Sequence, residues 1–167
     1  MKMREHHVRN HNPDVFWPDL PDTKENGNIS IWNEHHSLEL APSLVLRVIS
    51  NVIGHKDVKI ERLEVILTDG RIVQEMNQRW KSADYETDVM AFSLGSSTEI
   101  DAEVYVNLDF ARKYCTQYQA TFEEEACRYV VHGLLHIMGY EDDTPESRQI
   151  MRKLEDQYLE QFDFTDI

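Results

Sequence analysis

The sequence contains little cysteine and no long apolar run. Its two cysteines, Cys115 and Cys127, form no C-x-x-C motif and leave no second pair for a disulfide framework. No stretch of about eighteen apolar residues occurs, and the N-terminus lacks the apolar core of a signal peptide. These absences argue against a disulfide-stabilised scaffold, a membrane-spanning helix and a membrane partner. They predict a protein of the reducing cytoplasm.

Positive charge is also scarce. The chain has 17 Lys and Arg residues against 31 Asp and Glu residues, which gives a formal net charge of -14. Non-specific affinity for nucleic acid comes from Lys and Arg that neutralise phosphates, so this balance argues against a general nucleic-acid binder. No DNA partner is expected. A local basic groove remains compatible with the composition, because part of the acidic excess lies between Glu141 and the C-terminus.

Length and composition predict one compact domain. A chain of 167 residues that is 41% hydrophobic can bury one sizeable core, and no internal repeat divides it. Residues 1–28 are rich in Asn, Asp, His and Pro and have few periodic apolar positions. They are predicted to form a flexible N-terminal extension. Residues 29–167 are predicted to form the folded domain.

Hydrophobic periodicity predicts an α/β fold with a mixed sheet of about four strands and four to five helices. The strands are predicted at 29–33, 63–67, 89–92 and 104–106. The helices are predicted to begin near Pro42, after Asp69, near Leu108, after Thr121 and at Pro145. Trp80 in the second helix and Ile150 in the last helix are both assigned to the buried face.

The central feature is a pair of histidines one helical turn apart, followed by a glycine and an acidic loop. His132 and His136 lie at i and i+4, so a helix places both imidazoles on one face. Gly139 suits a left-handed helix end, after which Asp142 can fold back as a third ligand. Two histidines, one carboxylate and an open position are typical of a catalytic zinc ion. A simple hydrogen-bonded histidine pair is the alternative, although the apolar residues around the pair disfavour it.

The residue after the first histidine separates two kinds of zinc hydrolase. The pattern H-x-x-x-H-x-x-G-x-x-D resembles the extended zinc motif of metzincin-type peptidases, in which a glutamate follows the first histidine and acts as general base. Here that position is Gly133. Without a carboxylate there, the usual means of activating water for peptide hydrolysis is missing. A zinc metallopeptidase therefore stays only as the weaker alternative.

Two segments of the sequence carry a family resemblance: residues 132–140, HGLLHIMGY, and an upstream segment with Asn77, Trp80 and Asp84 followed by TDVMAFS at residues 87–93. They resemble the H-G-x-L-H-L-x-G-Y core and the N-x-x-Y-R-x-x-D-x-x-T-D-V-L-S-F segment of the YbeY family of bacterial metal-dependent endoribonucleases and ribosomal RNA maturation factors. Glu125 falls where the family often has an acid. The resemblance covers residues 29–162.

This resemblance implies a zinc-dependent endoribonuclease that cleaves single-stranded RNA. It implies action in maturation of the 3′ end of small-subunit ribosomal RNA and in ribosome quality control. The implied partners are ribosomal RNA and the small ribosomal subunit or its proteins. One catalytic Zn2+ ion, held by His132, His136 and Asp142, would polarise a phosphoryl oxygen or lower the pKa of a bound water. Asp142 stands where most members have a histidine, and Glu141 and Asp143 remain alternative ligands beside it.

The resemblance also assigns candidate residues outside the metal site. Lys81 stands where the family has a catalytic arginine, so it is the candidate catalytic residue that offsets charge on the phosphate, without the bidentate fork of arginine. Thr87 and Asp88 begin a strand expected to line the cleft and are candidate substrate-binding residues. A turn that merely starts the strand is the alternative for these two residues. The general acid and base stay open, with Glu141 and Asp143 as candidates by proximity.

A hypothesis from another class is a non-catalytic, metal-stabilised ribosome-assembly factor. Its acidic surface would suit docking onto basic ribosomal proteins better than gripping RNA directly.

Overall fold

A mixed sheet of five strands forms the centre of the fold. The computed structural model describes residues 24–26, 28–54, 56–96 and 98–165. The strands are β1 (Lys24–Asn26), β2 (Ile29–Asn33), β3 (Lys59–Thr68), β4 (Val89–Ser93) and β5 (Glu99–Asn107). They lie in the order β1-β2-β3-β5-β4. The three central strands are parallel, and the edge strands β1 and β4 are antiparallel to their neighbours.

The predicted α/β domain with a mixed sheet is confirmed, and two strands are longer than predicted. The strands β3 and β5 extend beyond their apolar runs because their outer halves carry paired charges, such as Arg62 with Asp101 at 2.8 Å. The strand β1 is an additional edge strand inside the stretch predicted as an extension. Most of that predicted extension, residues 1–23, lies outside the described residues.

The described residues form five helices, which agrees with the prediction. They are α1 (Pro42–Ile53), α2 (Gly70–Lys81), α3 (Leu108–Tyr114), α4 (Phe122–Ile137) and α5 (Pro145–Leu159). Local chemistry sets where several of them begin: the side chains of Asp69, Thr121 and Thr144 accept hydrogen bonds from backbone N–H groups in the first turns of α2, α4 and α5. None of these helices is long and apolar enough to cross a bilayer.

Helices cover both faces of the sheet, and the metal-site helix lies on the larger side. Successive strand residues point to opposite faces, so Val104 and Val106 join the main core while Tyr105 joins a smaller one. The main core includes apolar side chains of α1, α3, α4 and α5. The smaller core contains Val73 of α2. The helices α2 and α4 therefore lie on opposite faces of the sheet.

Two residues assigned to buried faces are exposed, and these assignments were wrong. Trp80 is 66% exposed, because it lies in the last turn of α2 and meets only the edge of the small core, where its ring packs edge-on against Phe92. Ile150 is 55% exposed. On α5 the buried stripe runs through Met151, and an adjacent residue is turned about 100° from it around the helix axis.

Candidate metal centre

The helix α4 and the turn after it bring three predicted ligands together. His132 and His136 lie one turn apart near the end of α4. The chain then reverses at Gly139, whose φ of +88° is left-handed, and the Tyr140 N–H donates back to the Leu135 carbonyl at 3.0 Å. Asp142 follows in the returning loop. Its carboxylate and the two imidazoles form a cluster in which the candidate ligand atoms all lie within 4.8 Å of one another.

The spacing of these atoms fits a small tetrahedral ion. The Nε2 atoms of His132 and His136 are 3.0 Å apart. The Asp142 carboxylate oxygens lie 3.4 Å from His132 Nε2 and 3.7 Å from His136 Nε2. Ligands about 2.0–2.1 Å from a tetrahedral zinc ion are separated by roughly 3.3 Å. The three residues therefore match three corners of a zinc site and leave the fourth corner to another ligand.

The second nitrogen of each imidazole is held by a group that can only accept a hydrogen bond. His132 Nδ1 donates to Glu155 Oε1 at 2.7 Å, and His136 Nδ1 donates to the Tyr140 carbonyl at 3.0 Å. Both neutral rings therefore carry their proton on Nδ1, and both Nε2 lone pairs point into the cluster. Two facing lone pairs beside a carboxylate repel one another unless a cation lies between them. The donor set thus fits a divalent metal ion.

The electrostatics of the cluster also favour positive charge. Burial disfavours the charged imidazole, but the hydrogen bond to Glu155 and the negative charges of Asp88 and Asp142 outweigh it, and the pKa of His132 is raised. Glu155 itself is only 5% exposed. A proton or a metal ion at His132 Nε2 satisfies the same surplus of negative charge.

A cavity of about 240 Å3 opens beside the cluster. His132, Asp142 and Asp88 line it, together with the side chains of α4 and α5 that carry charge, Glu125, Arg128, Arg148, Arg152 and Glu155. Asp88 is fixed at the start of β4, where its Oδ1 accepts hydrogen bonds from the Thr87 hydroxyl and the Val89 N–H. The candidate substrate residue Asp88 is thus at the site, and Thr87 is bonded to it.

The candidate catalytic residue Lys81 is placed differently. It is the last residue of α2, it is exposed, and it is not among the residues that line the cavity. The helix α2 lies on the face of the sheet opposite α4. Arg148 and Arg152 are the exposed basic residues at the cavity wall. Arg148 also holds the loop that carries Asp142, here called the ligand loop. Its Nη1 donates to the carbonyls of Asp142 and Asp143 at 3.0 and 3.2 Å.

The acidic residues on either side of Asp142 point elsewhere. Glu141 and Asp143 are both exposed. The Asp143 carboxylate accepts a hydrogen bond from the Ser147 hydroxyl at 3.4 Å, at the start of α5. Neither residue lines the cavity. Asp142 is therefore the carboxylate of this loop that meets the histidines.

Gly133 has a packing role that sequence reasoning missed. It faces the sheet, and a Cβ at this position would lie 2.6 Å from Val104 Cγ1 and 3.0 Å from Val89 Cγ2. The absence of a side chain lets α4 approach the sheet closely. A glutamate here would clash with the sheet and would point away from the histidines, so position 133 cannot supply a peptidase-type base.

Glu155 and Arg128 were not among the residues picked out from the sequence. A signal for Glu155 was present: Met151, Glu155 and Leu159 are spaced four apart and are all buried. A carboxylate in the middle of a buried stripe needs a partner, and His132 and Arg128 are its partners. No comparable signal marks Arg128, because almost the whole of α4 is buried.

The comparison with known proteins agrees with this fold and with the family resemblance of the sequence. The sequence model of the family Endoribonuclease YbeY matches residues 28–163. The chain is 42% identical to Endoribonuclease YbeY of Salinibacter ruber, over 78% of this chain and 89% of the relative. It is 33% identical to Endoribonuclease YbeY of Chlorobium phaeobacteroides, over 74% of this chain and 87% of the relative. The chain belongs to the Endoribonuclease YbeY family, as the sequence motifs predicted.

A solved structure is similar as well. The solution structure of TM1509 from Thermotoga maritima matches with a TM-score of 0.54 and 27% sequence identity. The match covers 79% of this chain and 89% of that protein. The α/β architecture described above is therefore shared with an experimentally determined structure.

Proposed function

We propose that this protein is a zinc-dependent endoribonuclease that cleaves single-stranded RNA in the maturation of ribosomal RNA. The observation that carries the proposal is the convergence of two imidazole lone pairs and one carboxylate at the wall of a cavity, in a member of an endoribonuclease family. The proposed reaction is hydrolysis at the 3′ end of small-subunit ribosomal RNA, with a further role in ribosome quality control. The proposed location is the cytoplasm, where the small subunit or its proteins are the partners.

The donor set supports zinc as the metal. Two nitrogens and one carboxylate oxygen with a free fourth position are typical of catalytic zinc sites. When bound, the ion supplies Lewis-acid activation of water and of a phosphoryl oxygen. The protein contributes orientation, because Glu155 and the Tyr140 carbonyl fix which nitrogen of each ring is free.

Basic residues on two surfaces are proposed to hold the phosphates. Arg148 and Arg152 lie at the cavity wall, within the same pocket as His132. They are suited to the phosphate at which cleavage occurs, because a guanidinium pairs with phosphate oxygens through two parallel hydrogen bonds. Lys81, on the other side of the sheet, is proposed to neutralise charge on the same RNA strand where it passes around the edge strand β4.

Asp88 and Thr87 are proposed to contact the ribose. The Asp88 carboxylate is oriented by the Thr87 hydroxyl and the Val89 N–H, and it lines the cavity. A carboxylate accepts hydrogen bonds only, and a ribose 2′-hydroxyl can donate one to it. This contact would distinguish RNA from DNA.

A second candidate function is ribosome assembly without cleavage. The net charge of -14 favours contact with basic ribosomal proteins over direct contact with RNA. In this case the metal would stabilise the fold and the ligand loop only.

RNA cleavage by a metal-reloaded protein tests the proposal. Protein stripped with a chelator and reloaded with Zn2+ is incubated with a fluorescently labelled single-stranded RNA, the same RNA annealed to its complement, and DNA of the same sequence. We expect cleavage of the single-stranded RNA alone, no cleavage by His136→Ala, and trimming of a small-subunit ribosomal RNA precursor at its 3′ extension. Absence of cleavage by the reloaded parent protein, with binding to the small subunit retained, would overturn the nuclease in favour of the assembly factor.

A further inference from the structure

A cluster of buried charges lies behind the metal site, between α4 and α5. Arg128 is 7% exposed and is the one Lys or Arg residue that is buried in the described part of the chain. Carboxylates surround it: Glu124, Glu125, Glu155 and Asp156 lie within salt-bridge distance of its guanidinium. Glu125 and Glu155 are themselves 2% and 5% exposed. The guanidinium is the counter-charge of these buried carboxylates, and its removal would leave them uncompensated.

The two oxygens of the Glu155 carboxylate have different partners. Oε1 accepts the hydrogen bond from His132 Nδ1 at 2.7 Å. Oε2 faces Arg128 Nη1 at 3.5 Å, on the buried side, and Arg152 Nη1 at 3.6 Å, on the exposed side. Arg128 thus attracts one oxygen of the carboxylate and leaves the other turned toward the ligand histidine.

We infer that Arg128 is a positioning residue of the metal site, which orients Glu155 so that His132 presents Nε2 to the metal. Arg128 is itself anchored: its Nη1 is paired with Asp156 Oδ1 at 2.6 Å, and its Nη2 and Nε face Glu124 and Glu125 at 3.7 and 3.8 Å. The short ion pair with Asp156 and the burial of the side chain restrict the guanidinium, so it cannot swing with the surface side chains. Arginine is suited to this role because its donors have a fixed planar geometry, which lysine lacks.

Arg152 contacts the same carboxylate as Arg128 and is therefore a matched control. It contacts Glu155 Oε2 and Asp156 Oδ1, as Arg128 does, but its side chain is 49% exposed. An exposed arginine is mobile and screened by water, so its pull on the carboxylate is weak. Arg128 and Arg152 therefore differ in burial while they share partners, and only Arg128 is expected to control the orientation of Glu155.

The inference rests on the proposed metal site, but its first test uses metal-free protein. Long-range 1H–15N correlation spectra of the histidine rings report which nitrogen of His132 carries the proton at alkaline pH. We expect the Nδ1–H form in the parent protein and in Arg152→Met. In Arg128→Met we expect a mixture of the two tautomers, because Glu155 no longer holds the Nδ1 proton.

The second test measures metal affinity with Co2+, whose visible absorption reports binding and coordination geometry. Outer partners of ligand histidines contribute about 10–100-fold to metal affinity, so Arg128→Met is expected to bind Co2+ roughly tenfold more weakly than the parent. Arg152→Met is expected to bind as the parent does. If Arg128 acts through Glu155, the double variant Arg128→Met with Glu155→Gln binds no more weakly than Glu155→Gln alone.

Several results would overturn the inference. An unchanged His132 tautomer in Arg128→Met would show that Glu155 keeps its orientation without Arg128, irrespective of the Co2+ affinity. Additive losses of Co2+ affinity in the double variant would show that Arg128 acts independently of Glu155. If Arg128→Met does not fold, Arg128→Lys replaces it, with a smaller change of the same kind expected and an unaltered spectrum counting against the inference. Failure of the parent to bind Co2+, with the tautomer shift present, would instead remove the proposed metal site alone.

Discussion

In the described part of the chain, two histidine–carboxylate hydrogen bonds are alike in contact but differ in what the other ring nitrogen meets. His35 Nε2 donates to Asp109 Oδ1 at 3.1 Å, and His132 Nδ1 donates to Glu155 Oε1 at 2.7 Å. In the first pair the other ring nitrogen, His35 Nδ1, accepts backbone N–H groups of Ser37 and Leu38 at 3.1 and 2.8 Å. In the second pair the other nitrogen meets no backbone donor. It faces a second imidazole lone pair.

The difference lies in the number of ring nitrogens that the fold itself satisfies. Both nitrogens of His35 serve the structure, because they fix the loop after β2 and tie it to the start of α3. One nitrogen of His132 is held in the same way, and the other points into the cluster in which we propose a metal ion. The neighbouring rings agree: His36 stacks on His35 with an angle of 16°, whereas His136 lies at 85° to His132. The perpendicular arrangement directs both free nitrogens to one point.

The largest expected contrast is in metal content. His132→Ala removes a proposed ligand, so we expect the parent protein, purified without chelator, to carry one equivalent of metal and the variant to carry none, and we expect RNA cleavage to be lost with the metal. His35→Ala leaves the backbone donors of residues 37 and 38 without an acceptor and should cost about 1–3 kcal/mol of unfolding free energy. Elemental analysis measures the metal content, and urea unfolding measures the free energy of unfolding. Loss of metal from folded His35→Ala protein would contradict the assignment of metal binding to His132 alone of the two histidines.

Substitution of the two carboxylate partners, Glu155 and Asp109, should show the same contrast in metal binding, with a smaller effect. Glu155→Gln weakens the hydrogen bond that fixes the His132 tautomer, so Zn2+ affinity is expected to fall about 10–100-fold. Asp109→Asn acts on a pair that has no free nitrogen and is expected to leave Zn2+ affinity unchanged. Competition with a chromophoric chelator gives the affinities. Equal losses in the two variants would mean that the distinction between the pairs is wrong.

The parts of this structure that depend on local chemistry were predictable from the sequence. Helix starts follow from capping side chains at Asp69 and Thr144, each of which accepts a hydrogen bond from the N–H group three residues further on. The cluster of His132, His136 and Asp142 is also local, because one helix turn and one reversal at Gly139 bring the three together.

The parts that depend on packing between distant elements were not predictable. Glu155 reaches His132 only because α5 packs against α4, and no spacing in the sequence encodes that contact. Lys81 matches a family position, but its place relative to the cavity depends on which face of the sheet α2 covers. Trp80 lies on the apolar side of its helix and is exposed because the small core ends before it.

The basic residues offer a third contrast, between a group at the cavity wall and a group on the other face of the sheet. Arg148→Ala removes a guanidinium beside the ligand loop, and charge-assisted hydrogen bonds contribute about 1.5–3 kcal/mol, so RNA cleavage is expected to fall roughly tenfold or more. Lys81→Ala is expected to weaken RNA binding, with a smaller effect on the cleavage rate. Single-turnover kinetics separates the effect on RNA binding from the effect on the cleavage rate. A larger drop in the single-turnover rate for Lys81→Ala would place the catalytic cation at Lys81 instead.

The smallest expected effect concerns the pair His35 and Asp109 and its contribution to stability in acid. Burial raises the pKa of Asp109, but the Gly70 N–H and His35 outweigh burial, and the pKa is lowered overall. A carboxyl with a lowered folded-state pKa stabilises the protein above the ordinary aspartate value, and this stability is lost as the pH falls through the folded-state pKa. Asp109→Asn should therefore be less stable than the parent at neutral pH, and the difference should shrink on acidification below about pH 4. Urea unfolding of metal-free protein over a pH series measures it, and a difference that stays constant with pH would show that the Asp109 charge contributes nothing.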